Sequence, residues 1–188
     1  MADTNKVKFG LKSVYYAKAT ISGSTVTYAT PVAIPGAVNL SMDAQGEETN
    51  FYADDTKYYN ATNNTGYSGD LEVAKFPEAF FTDIFGYSAD TDGVIFEDAE
   101  VEPAQFALLF QFDGDKNNTR HCLYLCSCSR PAVSSGTLTE SKDPVTESVT
   151  ITASPLPLDG NGMRIVRSKC VEGDAEYSGW FSAVHQYT

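Results

Sequence analysis

The chain has 188 residues, enough to bury one core of ordinary size but short for two, so a single domain spanning residues 1–188 is expected. Hydrophobic residues at 42% exclude a disordered chain, and eleven Tyr with eleven Phe favour pleated, half-buried strands. A formal net charge of −12 opposes the Lys- and Arg-driven attraction that holds nucleic acid, which argues against tight DNA binding and suits a surface past which DNA slides.

Met1 to Lys6 carry neither the apolar stretch nor the cleavage site of a signal peptide, and no segment approaches the roughly 18 apolar residues of a membrane helix. A protein made in a cytoplasm, with no membrane partner, is expected. Val7 to Ile21 alternates loosely, and Ser22-Gly23-Ser24 separates it from Thr25 to Ala29, which reads as a hairpin. After Pro31 and Pro35-Gly36, Ala37 to Met42 places Val38, Leu40 and Met42 on one face.

Residues 43–66 are polar and turn-rich yet carry Phe51, Tyr52, Tyr58 and Tyr59. We read them as a long inter-strand loop, of a length usually functional in a compact domain, the alternative being a strand or two hidden among polar residues. Tyr67 to Lys75 resumes strand character. The period then changes: Pro77 suits a first helical turn, Glu78 the positive end of the dipole and Gly86 a C-cap, so a helix is expected over about 77–86 with Phe80, Phe81, Ile84 and Phe85 as its packing face.

An acidic loop follows, holding Asp90, Asp92, Glu97, Asp98, Glu100 and Glu102. Phe106 to Phe112 and His121 to Cys128 form two strands around a tip at 113–118, and Val145 to Ala153 and Met163 to Lys169 add two more around Pro155, Pro157 and Asp159-Gly160-Asn161-Gly162. The aromatic C-terminus around Trp180 reads as a short helix or a final strand, with Trp180 in the core.

Catalytic and metal-binding patterns are weak. On a single strand Cys122, Cys126 and Cys128 share one face, unlike the tight C-x₂₋₄-C turns of structural zinc, so buried free thiols are expected, Cys170 included. Asp113-Gly114-Asp115 imitates the start of a calcium loop, but Asn118 and Tyr124 stand where Gly and Glu are required. His121 and His185 sit in no nucleophile motif, and no carboxylate pair stands out, so neither an enzyme nor a cofactor is expected. Thr146, Ser148, Thr150 and Thr152 make one face of their strand small, polar and uncharged, which suits either an ordinary solvent face or the smooth lining of a channel.

A succession of local patterns resembles the phi13 type of major tail protein, the tail tube subunit of many siphophages of Gram-positive hosts. It comprises Val7-Lys8-Phe9-Gly10-Leu11, Pro35-Gly36-Ala37-Val38-Asn39-Leu40, Phe51-Tyr52-Ala53-Asp54-Asp55 with Tyr58-Tyr59, and Gly66-Tyr67-Ser68-Gly69-Asp70-Leu71-Glu72. Phe76-Pro77 with Phe80, Ile84 and Gly86, Ser129-Arg130-Pro131, and Trp180-Phe181 complete it. The resemblance implies a mainly β fold, an antiparallel β-sandwich or barrel of the tail tube type with one flanking short helix. It also implies a structural virion protein whose hexameric rings stack into a tube through which DNA passes without specific binding, with tape measure, tail terminator and distal tail proteins as further partners. On that footing Phe51, Tyr52, Tyr58 and Tyr59 are expected to contact the next ring, and Thr146, Ser148, Thr150 and Thr152 to face the lumen. The alternative is a non-catalytic β-sandwich module of a phage tail that recognises carbohydrate or a cell surface.

Overall fold

The computed structural model describes residues 9–135, 145–158 and 162–187, without the side chains of Thr49, Phe51 and Ala61. Val7, Lys8 and the turn residues Asp159, Gly160 and Asn161 lie outside the described residues. In chain order the elements are β1 (Leu11–Ser22), β2 (Thr25–Tyr28), β3 (Val32–Ala33), β4 (Ala37–Gln45), β5 (Glu48–Ala53), β6 (Thr56–Thr62) and β7 (Gly66–Val73). The helix α1 (Glu78–Phe85) follows, then β8 (Ser88–Ala89), β9 (Ile95–Phe96), β10 (Phe106–Phe112), β11 (Arg120–Cys128), β12 (Glu147–Ser154) and β13 (Arg167–Cys170). The protein is mainly β, and among the described residues the strands pair antiparallel throughout beside one short helix.

Nine strands form the main sheet, in the order β2-β1-β10-β11-β12-β7-β4, with β3 attached to β1 and β13 to β11. The sheet curls until β4 approaches β1, and inward residues of six strands meet in one cluster: Val14 and Tyr16, Phe106 and Leu108, Leu123 and Cys126, Val149 and Ile151, Leu71 and Val73, with Leu40 and Met42 at its margin. The curl requires close backbone approach at Gly69, where a Cβ would stand 1.7 Å from the Ser41 carbonyl oxygen of β4.

The helix caps this cluster. Pro77 is its N-cap with extended backbone, one place earlier than expected, and Gly86 closes it in the left-handed conformation at φ 69°. Phe80, Ile84 and Phe85 are buried and Phe81 is half-buried. The Phe80 ring lies edge-on to Tyr16 and Phe106, and the Tyr16 hydroxyl donates to Asp83 at 2.8 Å.

A bulge divides β11. Phe106 pairs with Cys126 but Leu108 with Leu123, so Tyr124 and Leu125 together oppose Ala107, and every side chain beyond them changes face. Cys126 and Cys128 therefore enter the main core, while Cys122 enters a second core with Ala17, Ala107, Leu109, Tyr124, Cys170 and Trp180. This corrects the expectation that Cys122, Cys126 and Cys128 share a face.

The same bulge splits the edge of β11 between two partners, with β12 on Leu125–Cys128 and β13 on Arg120–Leu123. Strand geometry thus begins at Arg167 and not at Met163, because only residues 167–170 find ladder partners. The C-terminal segment is neither helix nor strand. It descends through successive turns, with Trp180 N–H donating to the Tyr177 carbonyl and Ser182 N–H to that of Gly179. Side chains fasten it: Trp180 is buried, and the Arg120 guanidinium lies 3.8 Å from the Tyr177 ring centre and 4.7 Å from that of Phe181.

Candidate interaction surfaces

Residues 43–66 are not a loop. They hold the end of β4 and a hairpin, β5–β6, which among the described residues pairs only with itself. Ala53 pairs with Thr56 across Asp54 and Asp55, both at positive φ (51° and 57°), as a two-residue type I′ turn requires. A second irregularity makes Tyr58 an extra residue, because Phe51 pairs with Tyr59 but Tyr52 with Lys57. One face carries Glu48, which accepts from Lys57 at 2.7 Å and from Asn60; the lysine and asparagine contacts hold its carboxyl below its usual range.

Of the four aromatic residues expected to contact a neighbouring ring, Tyr52, Tyr58 and Tyr59 are exposed at 65%, 74% and 59%, and the Phe51 side chain lies outside the described residues. Tyr52 shares the polar face with Glu48, while Tyr59, opposite the adjacent residue, points the other way. An isolated two-stranded hairpin is at best marginal in water, so one that displays three tyrosines has most to gain from a partner.

A second surface lies on the outside of β12, β7 and β4. Ser148, Thr150 and Thr152 are exposed there and Thr146 is half-buried, its hydroxyl bonded to Glu72. Cross-strand register sets them in rows: Thr152–Ser68–Asp43, Thr150–Asp70–Ser41 and Ser148–Glu72–Asn39. The Thr150 hydroxyl donates to Asp70 at 2.7 Å, and its amide donates to the Ser129 hydroxyl at 3.1 Å. None of these three strands contains Lys or Arg. The face is therefore small, hydroxyl-rich and acidic, and the carboxylates Asp43, Asp70 and Glu72 are members that sequence reasoning missed. Alternation within each strand marks them as outward-facing, but only the strand order brings them beside Thr150.

A third exposed feature is the acidic loop, where β8 and β9 pair to form a small hairpin that carries Val94, Ile95 and Phe96 exposed on its second arm.

The titratable core is quiet. Burial pushes the thiols of Cys122, Cys126, Cys128 and Cys170 up, that of Cys128 to about 12. Among the described residues no group of three or more His, Cys, Asp or Glu side chains is placed to hold a metal ion. At the β10–β11 tip, Asp115 is buried and its carboxylate accepts from the amides of Asn117 at 3.0 Å and Thr119 at 3.1 Å, which makes it a turn-forming group.

No family model matches the sequence, and no curated protein matches it. Among solved structures, the chain is similar to the cap of the anti-feeding prophage, described as its tube terminating cap, at 9% identity and a TM-score of 0.39, covering 91% of this chain and 97% of that one. The overlap is too loose to carry an argument about this chain.

Proposed function

We propose that the chain is a structural subunit of a long-tailed phage, the major protein of its tail tube, which assembles as stacked hexameric rings whose lumen passes DNA into the host. The observation that carries this reading is the β5–β6 hairpin, which stands off the main sheet with Tyr52, Tyr58 and Tyr59 exposed. Aromatic side chains on a hairpin without a sheet of its own gain most when a second copy desolvates them.

The outer face of β12, β7 and β4 supports the DNA-passing part. Ser, Thr and Asn side chains interspersed with Asp43, Asp70 and Glu72, with no cation in these strands, repel phosphate and offer no docking point. In this reading Thr146, Ser148, Thr150 and Thr152 line the lumen. The virion is then the site of action, and tape measure, terminator and distal tail proteins are the neighbours.

A carbohydrate-binding module is less well supported, because Tyr52 and Tyr59 face opposite ways and do not form the single aromatic platform on which a sugar ring stacks. The test is electron microscopy of the Tyr58→Ser/Tyr59→Ser variant. Folded protein without rings or tubes is expected, and intact tubes from that variant would sink the assignment.

A further inference from the structure

The small β8–β9 hairpin is built to hold a fixed shape. Ser88 pairs with Phe96 and Ala89 with Ile95, and Asp90 closes the turn by accepting from the amides of Asp92 and Val94, each at 2.9 Å. Arg130, just past β11, braces it through Glu97 and through the carbonyls of Asp98 and Val101, while the Tyr87 hydroxyl donates to Glu97 at 2.7 Å. This rigid support displays Val94, Ile95 and Phe96 at 52%, 42% and 54% exposure. Acidic residues surround them: Asp90, Asp92, Glu97, Asp98, Glu100 and Glu102 are all exposed, and residues 90–102 contain no Lys or Arg.

The complementary surface lies elsewhere on the same chain. Residues 163–169 read MRIVRSK, with Arg164, Arg167 and Lys169 exposed and no acid among them. Beside them opens a cavity of about 480 Å³ whose lining includes Met163, Ile165, Trp180 and Tyr187 together with Arg167 and Lys169, the Arg167 guanidinium lying 5.3 Å from the Tyr67 ring centre. Carboxylates stand on the opposite lip, where Asp174 accepts from the Val171 amide at 2.9 Å and from the Cys170 thiol, and Glu176 sits 3.8 Å from the His185 imidazole, so the 163–169 edge is the basic side of the cavity.

These two surfaces belong to opposite ends of one strand. Arg130 holds the acidic hairpin beyond the C-terminal end of β11, whereas β13 pairs with Arg120 to Leu123 at its N-terminal end. Nine residues of extended chain separate Arg130 from His121, the partner of Lys169, roughly 30 Å at ~3.3 Å each, several times the ~8 Å screening length at physiological salt. Lys169 and the acidic hairpin are thus held apart within one molecule, but two copies arranged head to tail can bring them together, a heterologous contact that propagates or closes into a ring.

We infer that the Val94–Ile95–Phe96 hairpin of one copy seats in the 163–187 cavity of the next, with Glu100 and Glu102 set against Arg164 and Lys169. The contact rests on the self-assembly reading and adds to it a surface separate from the tyrosine hairpin.

The test is reciprocal charge reversal. E100K/E102K sets lysines against Arg164 and Lys169, and R164E/K169E sets glutamates against Glu100 and Glu102, so at these positions neither variant matches itself, while an equimolar mixture matches in alternation. Sedimentation velocity over a concentration series, with circular dichroism to show that each variant is folded, reads the result. Each variant alone should need at least about tenfold more protein than wild type to assemble, the equivalent of ~1.4 kcal/mol, and the mixture should recover most of that loss. Wild-type assembly by either variant alone, or failure of the folded mixture to recover, overturns this contact and leaves the self-assembly reading standing. A wild-type chain that stays monomeric at every concentration overturns both.

Discussion

Replacing Tyr58 and Tyr59 with serine should separate folding from assembly. Tyr58 is 74% exposed and Tyr59 59%, so most of their surface remains available to a partner. Taking roughly 200 Å² for a buried tyrosine, contact would remove up to ~150 Å² and ~120 Å², worth about 7 kcal/mol at ~25 cal/mol per Å². Ordering the side chains and desolvating their hydroxyls offset about half, which leaves ~3 kcal/mol per contact, on the order of a hundredfold in association constant. The monomer should change little, by about 1 kcal/mol at most for two exposed positions. Sedimentation velocity gives the association shift and urea unfolding gives the stability. Assembly at the wild-type concentration would refute the role of the hairpin. A stability loss of several kcal/mol would show instead that the tyrosines support the fold.

Four further outcomes follow from the geometry. Phe80→Ala, which empties a fully buried site among Tyr16, Phe76, Phe85 and Phe106, should cost about 3–5 kcal/mol in urea unfolding, several times the cost of Phe81→Ala at its half-buried neighbour. Gly69→Val drives a Cβ to 1.7 Å from the Ser41 carbonyl oxygen, so it should destabilise by at least about 2 kcal/mol, while Ser68→Val on the opposite face should cost less. Thr150→Cys should react freely with a bulky maleimide in the monomer and be shielded in tubes, with the four buried native thiols silent in both; equal labelling of both forms would contradict the lumen assignment. Folded Cys122, Cys126 and Cys128 titrate above their unfolded values, so unfolding releases protons at alkaline pH: stability is full below about pH 8.5 and falls as pH rises beyond it, by about 1.4 kcal/mol per pH unit for each thiol. A urea midpoint unchanged from pH 8 to 10 would contradict their burial.

Local signals in the sequence identify the parts of the fold whose causes are local. The helix announces itself through Pro77, Glu78 and Gly86 around closely spaced phenylalanines, and β10 through the apolar run Phe106 to Phe110. The β5–β6 hairpin escapes notice because its strands, which join no other strand among the described residues, lack apolar alternation, and because an Asp54-Asp55 turn lacks the glycine that usually marks type I′. The division of the cysteines depends on the bulge at Tyr124 and Leu125, which is set by pairing with β10. Likewise the hydroxyl face of β12 is visible in its own alternation, whereas its acidic neighbours come from β7 and β4, far away in the chain. The C-terminal segment reads as a helix or strand by its aromatics, yet those side chains anchor a run of turns against Arg120 and His121.

Self-assembly without a ligand is the central claim, and negative-stain electron microscopy of the purified wild-type chain over a concentration series tests it most directly. Rings of six subunits or tubes of stacked rings are predicted at high concentration. Monodisperse monomers under every condition would contradict the claim.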